Sequence, residues 1–298
     1  MCPQQNPSMN EKSNEERILY FGYGSNLDRK DWEKWCQRKG INPDGLKEIE
    51  PAWIDGFRMV FDYFSKTRNG GAANLQIVNS GNGATPGAIY EVDEYTKKAL
   101  DRKEGHPNPQ FYNRITTTAY TADGTAHNVF TYIHEPEKDQ FHPPAEYYGN
   151  LIQNGLDRLD LPTNWLDAAK KLIPKQKFDL IFVYGTLMKG MSRHNIINEQ
   201  CKFVCKGSVK GDLYDMEDYP GLVQGEGQVH GELYRMNNPS QVIQYLDIIE
   251  GIDREPPLFK RVIQQVETDN GLIWAYTYHY GNSVKSLDKI EDGIWQST

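Results

Sequence analysis

The feature that most constrains this chain is an internal repeat, in which four short landmarks occur twice in the same order. Each half opens with a strand-like apolar run that ends in Tyr-Gly-[Ser/Thr] and continues toward a Leu. A Leu-Asp-x-x-Glu-Gly stretch, an aromatic residue two positions before an Arg, and an aromatic-rich strand follow. The segments are ILYFGYGSNL (18–27), LDRKEG (100–105), FYNR (111–114) and VFTYI (129–133), then LIFVYGTL (180–187), LDIIEG (246–251), LFKR (258–261) and IWAYTYHY (273–280). One Tyr-Gly pair could arise by chance, but the ordered set indicates two copies of one domain.

Strand patterns dominate both copies. Alternating apolar runs are separated by turns that contain Gly or Pro. Helical periodicity is confined to four segments, at about 94–104, 145–158, 163–173 and 239–250. This mixture predicts an α+β fold in which each copy has a small, mostly antiparallel β-barrel or sheet with flanking helices.

The length of 298 residues suits two domains rather than one. We predict domains at 17–174 and 175–298, called copy one and copy two below, with the division near Pro174. Residues 1–16 are polar and predict a disordered tail without the apolar core of a signal peptide. No stretch approaches the roughly 20 apolar residues that span a bilayer. A soluble, cytoplasmic protein is therefore expected.

The net charge and the cysteines narrow the range of expected partners, disulfides and cofactors. The formal net charge is −8, so neither nucleic acid nor an anionic membrane is an expected partner. Cys201 and Cys205 lie in a strand-like run about 13 Å apart by strand rise, too far for a disulfide. The four cysteines therefore predict free thiols. Neither metal-ligand spacing nor a phosphate-loop or dinucleotide motif occurs, so no metal and no cofactor are expected.

The repeated glutamates are the candidate catalytic groups. Glu104 and Glu250 each precede a Gly at the predicted end of a helix, where the helix dipole is unfavourable for a carboxylate. At about 100° per residue, Glu250 falls within the apolar stripe of its helix. These surroundings raise a carboxyl pKa and suit a general acid or base. The plain alternative is an ordinary solvated glutamate, which one copy alone would favour.

Two further landmarks could contact a substrate. The turns after Tyr23 and Tyr184 combine Gly with small polar residues, and their successive N–H groups can form an anion site. Tyr112 and Phe259 begin the strand after each glutamate. Strand-ending Gly turns and core aromatics are common, so these features gain weight only from their pairing with the glutamates.

Together these segments resemble the gamma-glutamylcyclotransferase family, which cyclises the glutamyl group of gamma-glutamyl amides to 5-oxoproline. In copy one the similarity covers 18–27, 100–105 with the following Tyr112, and HPPAEYYGNLIQNGLDRLDLP (142–162). Copy two is similar to the shorter gamma-glutamylamine cyclotransferase branch. The segments that carry this second similarity are IFVYGTLMKGMSRHNII (181–197), LYDMEDYPGLV (213–223), GELYRM (231–236) and LDIIEGIDREPPLFKRV (246–262).

The resemblance implies a small-molecule gamma-glutamyl substrate and a reaction without metal or cofactor. It implies Glu104 and Glu250 as catalytic residues. It also implies substrate-binding residues, namely Tyr23, Gly24, Ser25, Asn26, Leu27 and Tyr112 in copy one, and Tyr184, Gly185, Thr186 and Leu187 in copy two.

Copy two departs from the family pattern at Phe259, which replaces the usual Tyr, and its turn lacks an Asn. Three alternatives stay open. Both copies could be silent modules that bind a metabolite or a protein. Copy one could be the sole catalyst. The substrate could also be a larger amine that carries a gamma-glutamyl protecting group.

Overall fold

The computed structural model describes residues 17–135, 140–172 and 177–296. The predicted tail at 1–16 and the predicted division near Pro174 lie outside the described residues. None of the helices in the described ranges is long and apolar enough to cross a membrane.

Copy one is built on a closed five-stranded barrel and a separate hairpin. Its strands are β1 (Ile18–Gly22), β2 (Lys47–Asp55), β3 (Phe57–Ser65), β4 (Gly70–Ile77), β5 (Ala84–Val92), β6 (Asn113–Tyr120) and β7 (Ala126–Ile133). The barrel order is β1-β5-β2-β6-β7, and β3 pairs only with β4. The barrel closes through a parallel contact between Tyr20 of β1 and Phe130 of β7, whereas its other pairs are antiparallel.

The helices of copy one are α1 (Arg29–Lys39), α2 (Glu94–Glu104), α3 (Glu146–Arg158) and α4 (Asn164–Lys170). Single 3-10 turns occur at Ser25–Leu27 and Pro43–Gly45. The predicted helices therefore form, although α4 ends at Lys170. Helix α1 was not predicted, because only Trp32 and Cys36 of its residues are buried.

Copy two repeats the plan with longer strands. Its strands are β8 (Leu180–Val183), β9 (Cys201–Asp215), β10 (Pro220–Met236), β11 (Phe259–Thr268), β12 (Gly271–Tyr280) and β13 (Lys289–Ile290), and its helices are α5 (Asn195–Asn198) and α6 (Pro239–Ile249). The sheet order is β10-β8-β12-β11-β9-β13, and β9 also pairs with β10. A parallel contact between Ile181 and Tyr276 matches the closing contact of copy one.

The prediction of an α+β fold with one small, mostly antiparallel sheet system in each copy is confirmed. No strand pairing joins the two copies within the described ranges. The copies instead meet through packed aromatic side chains. Trp53 of copy one has ring centroids 5.1 Å from Phe178 and 5.9 Å from Trp274 of copy two, and Trp165 of copy one lies beside it at 4.9 Å. Burial of such large apolar surfaces favours a stable junction.

Candidate active site

Both candidate glutamates end the same kind of helix. Helix α2 is capped at its beginning by Asp93, whose side chain accepts from the Thr96 N–H, and it finishes at Glu104 before Gly105, with φ 82°. Helix α6 finishes at Ile249, so Glu250 is its C-cap and Gly251, with φ 64°, follows. The left-handed glycine stops each helix one residue after the glutamate. Each carboxylate is thereby aimed from a helix end.

A buried leucine fixes the rotation of each helix. Leu100 and Leu246, four residues before the glutamates, are fully buried. Because residues four apart lie on one face of a helix, Glu104 and Glu250 are directed toward the barrel side. The spacing of four residues between Leu and Glu in the sequence thus determines the direction of both glutamate side chains.

The sequence reasoning missed a polar cluster one helical turn before each glutamate. In copy one, Asp101 accepts from Arg114 Nη1 at 2.9 and 3.1 Å and from the Tyr132 hydroxyl at 2.7 Å. In copy two, Asp247 accepts from Arg261 Nη1 and from the Tyr278 hydroxyl at 2.8 Å. The Asp of the repeated LDxxEG motif and the Arg of the following landmark were the signals that could have revealed it. This Asp–Arg–Tyr cluster ties the end of each helix to two strands.

The same tyrosines hold the Tyr-Gly turns. Tyr23 donates its hydroxyl to the Tyr132 carbonyl at 2.7 Å, and Tyr184 donates to the Tyr278 carbonyl at 2.6 Å. The turn and the glutamate helix of each copy therefore share one support. This support makes their relative position a consequence of the fold rather than of loop flexibility.

Copy one contains a cavity of about 840 Å³. Its walls include five of the six residues implied for copy one together with the acid, namely Tyr23, Gly24, Ser25, Asn26, Tyr112 and Glu104. The glutamate lies beside a polar group and a cation, since Glu104 Oε1 is 3.5 Å from Asn26 Nδ2 and 3.4 Å from Lys103 Nζ. Asn26 Nδ2 also donates to the Tyr20 hydroxyl at 2.9 Å, whereas Asn26 Oδ1 is buried and has no hydrogen-bond partner among the described residues. An unmet buried acceptor next to a carboxylate suits a cationic ligand group.

Tyrosines kept in their neutral form surround Glu104. Burial raises the pKa of Tyr148 to about 12, and the Glu104 charge adds to that rise. Burial likewise raises the pKa values of Tyr23 and Tyr112, again with a contribution from Glu104. These phenols are therefore hydrogen-bond donors at neutral pH. Tyr112 uses its donor on the Ala73 carbonyl at 2.7 Å, so its hydroxyl also secures the β4 wall of the cavity.

The structure places Leu27 differently from its implied role. Its side chain is fully buried and lies against Gly155, where an added Cβ would sit 2.4 Å from the Leu27 Cβ. Its N–H donates to the Gly24 carbonyl at 3.0 Å. Leu27 is absent from the cavity wall and acts as the core anchor of the turn. Gly24 has φ −106°, so a left-handed backbone is not what this position requires.

The turn of copy one has a second support that the sequence did not reveal. Arg68, from the segment between β3 and β4, donates to both Asp31 carboxylate oxygens at 3.1 and 2.7 Å and to Ser25 Oγ at 3.0 Å. Its guanidinium also lies 5.0 Å from the centre of the Tyr148 ring. Burial acts to raise the pKa of the Asp31 carboxylate, but the hydrogen bonds and charge of Arg68 outweigh burial. The pKa of Asp31 is therefore lowered. Arg68 therefore fastens the hairpin over the Gly24–Ser25 turn.

Copy two has a smaller cavity, of about 220 Å³. All residues implied for copy two line it, namely Tyr184, Gly185, Thr186, Leu187 and Glu250. At Gly185 the wall is tight, because an added Cβ would sit 2.5 Å from the Pro220 ring. Phe259 packs against Tyr219 and Tyr280, with ring centroids 5.9 and 5.6 Å away. This copy thus replaces the Tyr112 hydroxyl with an apolar contact.

Glu250 lies in a strongly perturbing environment. Burial raises its pKa from the ordinary 4.5 to about 7; the positive charge of Arg193 opposes the rise and the negative charge of Asp247 adds to it. Within the described ranges, its carboxylate has no hydrogen-bond or ion-pair partner. The charge of Glu250 in turn adds to the burial that raises the Tyr184 pKa. A carboxyl group with a pKa near neutrality can exchange a proton in either direction.

In the described part of the chain, no three His, Cys, Asp or Glu side chains gather as a metal site. Cys36, Cys201 and Cys205 are free thiols and line neither cavity.

Comparison with known proteins agrees with this duplicated arrangement. A family model described as Gamma-glutamyl cyclotransferase, AIG2-like, matches residues 20–150 and 181–297. The chain is 34% identical over 122 residues to the gamma-glutamylcyclotransferase family protein YtfP of Escherichia coli strain K12, covering 39% of the chain and 94% of that relative. It is 33% identical over 123 residues to the gamma-L-glutamyl-butirosin B gamma-glutamyl cyclotransferase of Niallia circulans, covering 39% and 78%. A solved structure of a gamma-glutamyl cyclotransferase aligns with TM-score 0.44 and 24% identity, covering 52% of the chain and 87% of that structure.

Proposed function

Because the chain belongs to the Gamma-glutamyl cyclotransferase, AIG2-like, family, we propose that it cleaves gamma-glutamyl amides by cyclising their glutamyl group to 5-oxoproline and releasing a free amine. The observation that carries this proposal is that a helix-ending glutamate and a tyrosine-anchored Gly turn line one cavity, in both copies. A silent binding module would not require the same helix-ending glutamate beside the same turn twice.

The first step of the proposed reaction is proton removal from the substrate α-ammonium. Glu104 or Glu250 accepts this proton, and the freed amine attacks the γ-carbonyl carbon of the same glutamyl group. In copy one, Asn26 Oδ1 is a second acceptor for the ammonium, since no residue in the described part of the chain donates to this buried oxygen. The pKa of Glu250, about 7, suits such a transfer, because the best general bases titrate near the working pH.

The second step is loss of the amine. The tetrahedral intermediate carries an oxyanion, which the N–H groups of the Gly24 or Gly185 turn stabilise. The C–N bond to the amine then breaks as the protonated glutamate returns its proton to the departing nitrogen. The new ring nitrogen loses its second proton to water, and the released amine takes one from water, so the proton count balances.

Positioning supplies a large part of the expected acceleration. Ring closure requires a flexible glutamyl chain to curl, and holding reacting groups in place can lower a barrier by roughly 7–11 kcal/mol in favourable cases. The proton shuttle adds about 10²- to 10⁴-fold. The shared tyrosine support of turn and helix provides the required rigidity in each copy.

The two cavities favour different amides. The larger cavity of copy one, about 840 Å³ against about 220 Å³, has room for gamma-glutamyl amides with a bulky leaving group such as an amino acid. The smaller cavity of copy two, whose wall includes Phe259 and Tyr219, suits amides with a smaller amine. The similarity to the Niallia circulans butirosin B enzyme favours a second candidate, removal of a gamma-glutamyl group from a larger amine.

A substrate screen tests the proposal. The full chain is incubated with gamma-glutamyl amino acids, glutathione, gamma-glutamyl amines and a gamma-glutamylated aminoglycoside, and 5-oxoproline is quantified. We expect 5-oxoproline in stoichiometric amounts with the released amine from at least one class. The Glu104→Gln/Glu250→Gln double variant is the matched control and should release none. Release of free glutamate instead would identify hydrolysis and overturn the cyclisation.

A further inference from the structure

The Asp–Arg–Tyr clusters differ between the copies in one respect. In copy one, Arg114 pairs with a single carboxylate, Asp101, and its guanidinium lies 5.7 Å from the Phe130 ring. In copy two, the equivalent Arg261 pairs with Asp247 and also contacts two residues of copy one: it forms an ion pair with Asp55 and donates to Ser80 Oγ at 2.8 Å. The repeat therefore provides an internal comparison for these added contacts between the copies.

Asp55 lies at the end of β2 and is largely buried. Its Oδ2 lies 3.2 Å from Arg261 Nη2 and accepts from the Ser80 hydroxyl at 2.7 Å. Its Oδ1 accepts from the Tyr276 hydroxyl at 2.5 Å and from the Gly56 N–H at 2.8 Å. The side chains of Arg261 and Asp55 are only 17% and 12% exposed, so solvent screens this pair weakly.

A second partner of Asp55 across the junction is Tyr276, which has no hydroxyl-bearing counterpart in copy one. Tyr276 occupies the position that Phe130 holds in copy one, and only the tyrosine has a hydroxyl for Asp55. That hydroxyl also accepts from the Gly81 N–H at 3.0 Å. The junction thus holds Asp55 with donors from both copies.

Helix α6 is supported by copy one at both ends. At its beginning, Gly81 is so close that an added Cβ would sit 2.6 Å from the Pro239 backbone. Near its end, Arg261 joins Asp55 to Asp247, one turn before Glu250. Copy one therefore holds the helix that presents the acid of copy two.

We propose that Asp55 of copy one is a positioning residue for the catalytic site of copy two, acting through Arg261 and Asp247 on Glu250. The inference rests on the proposed role of Glu250. Copy two is then active only when docked on copy one, whereas the site of copy one does not depend on this contact. The tandem arrangement is in this way part of the active-site construction.

The test measures each copy separately. In the Glu104→Gln background, where copy two is the working site, Asp55→Asn should lower kcat for 5-oxoproline release by about 10- to 100-fold with little change in KM, because a misplaced acid loses alignment rather than affinity. In the Glu250→Gln background, the same substitution should leave the activity of copy one unchanged. Gln224→Ala is the matched control, since it removes a different contact between the copies, the 2.6 Å bond to Thr125 Oγ1.

Hydrogen exchange gives a readout that does not depend on turnover. The Glu250 N–H bonds to the Leu246 carbonyl at 2.8 Å, and the Gly105 N–H bonds to the Asp101 carbonyl at 2.8 Å. Asp55→Asn should accelerate exchange at Glu250 by about tenfold, as expected for losing a charged hydrogen bond, and should spare Gly105. Should Asp55→Asn fail to fold, Tyr276→Phe, which restores the residue type of copy one, should produce a smaller change in the same direction.

Two results would overturn the inference. One is an unchanged kcat and unchanged exchange at Glu250 in Asp55→Asn. The other is an equal loss in both backgrounds, which would mean that Asp55 serves the scaffold as a whole. If the Glu104→Gln background is itself inactive on every substrate, catalysis by copy two fails, and the exchange measurement then decides the positioning role alone.

Discussion

Substitution of Glu250 by Gln should stabilise the folded chain at alkaline pH. Glutamine keeps the size of the side chain but cannot ionise. In the native protein Glu250 is buried beside Asp247 without a hydrogen-bond partner within the described ranges, and its pKa rises from 4.5 to about 7. The folded state therefore binds this proton more tightly than the unfolded state, where the pKa is ordinary.

The sign and size of the stability change follow from the linkage between proton binding at Glu250 and folding. Between about pH 4.5 and 7 the folded state holds more protons than the unfolded state, so stability falls as pH rises. At about 1.4 kcal/mol per pH unit, the cost of ionised Glu250 reaches about 3 kcal/mol above pH 7. Below about pH 4.5 the cost disappears, because the carboxyl is protonated in both states. The free energy of unfolding of Glu250→Gln should therefore equal that of the native chain below about pH 4.5. The difference should grow across the window and reach about 3 kcal/mol in favour of the variant above about pH 7.

The assay is urea unfolding at a series of pH values, monitored by the fluorescence of Trp274 and its neighbours. Glu199→Gln, at an exposed position of the same copy, corrects for loss of one negative charge. A stability difference between Glu250→Gln and native protein that is flat with pH, after this correction, would refute the buried-acid reasoning. A stability gain of Glu250→Gln that grows toward low pH would show that the predicted sign of the pH dependence is wrong.

Other consequences can be checked in parallel. With Glu104→Gln leaving copy two as the working site, kcat/KM should rise with pH through about 7, because the ionised form of Glu250 is the base; a profile flat from about pH 5 to 8 would contradict this. Tyr112→Phe should destabilise copy one by about 1–3 kcal/mol in urea unfolding, since the buried Ala73 carbonyl loses its donor, and should reduce kcat far less than Glu104→Gln. Arg68→Gln should lower the activity of copy one by about tenfold or more through loss of a charged hydrogen bond to the turn, with copy two unaffected; equal losses in both copies would disprove that local role.

Sequence pattern predicted the elements that carry the glutamates because their signals are local. The i, i+4 spacing of Leu and Glu and the following Gly determine helix face and helix end, and the predicted 94–104 and 239–250 appear as Glu94–Glu104 and Pro239–Ile249. Helix α1 was missed because its apolar face is only Trp32 and Cys36, although its capping residues, Asp28 and Gly40, were readable signals.

The long-range parts of the site had no such local signal. The ion pair of Arg261 with Asp55 joins positions far apart in the sequence, and the Tyr276 hydroxyl contributes only because the copies dock. Likewise, Arg68 reaches Ser25 from a hairpin whose position the pattern alone does not give. Leu27 was assigned to the substrate because it lies within the motif, whereas packing against Gly155 makes it a core residue.

The most direct test of the account is the release of 5-oxoproline from a gamma-glutamyl amino acid by Glu104→Gln, Glu250→Gln and the double variant. Glu104→Gln should lose about 10²-fold or more of the activity, since the proton transfer is removed while the fold is kept. Glu250→Gln should lose less on this substrate, because its cavity is smaller and has Phe259 in place of Tyr112. The double variant should be inactive on every gamma-glutamyl substrate. Full activity in Glu104→Gln would contradict the assignment of copy one as the main catalyst, and activity near the native level in the folded double variant would contradict glutamate catalysis itself.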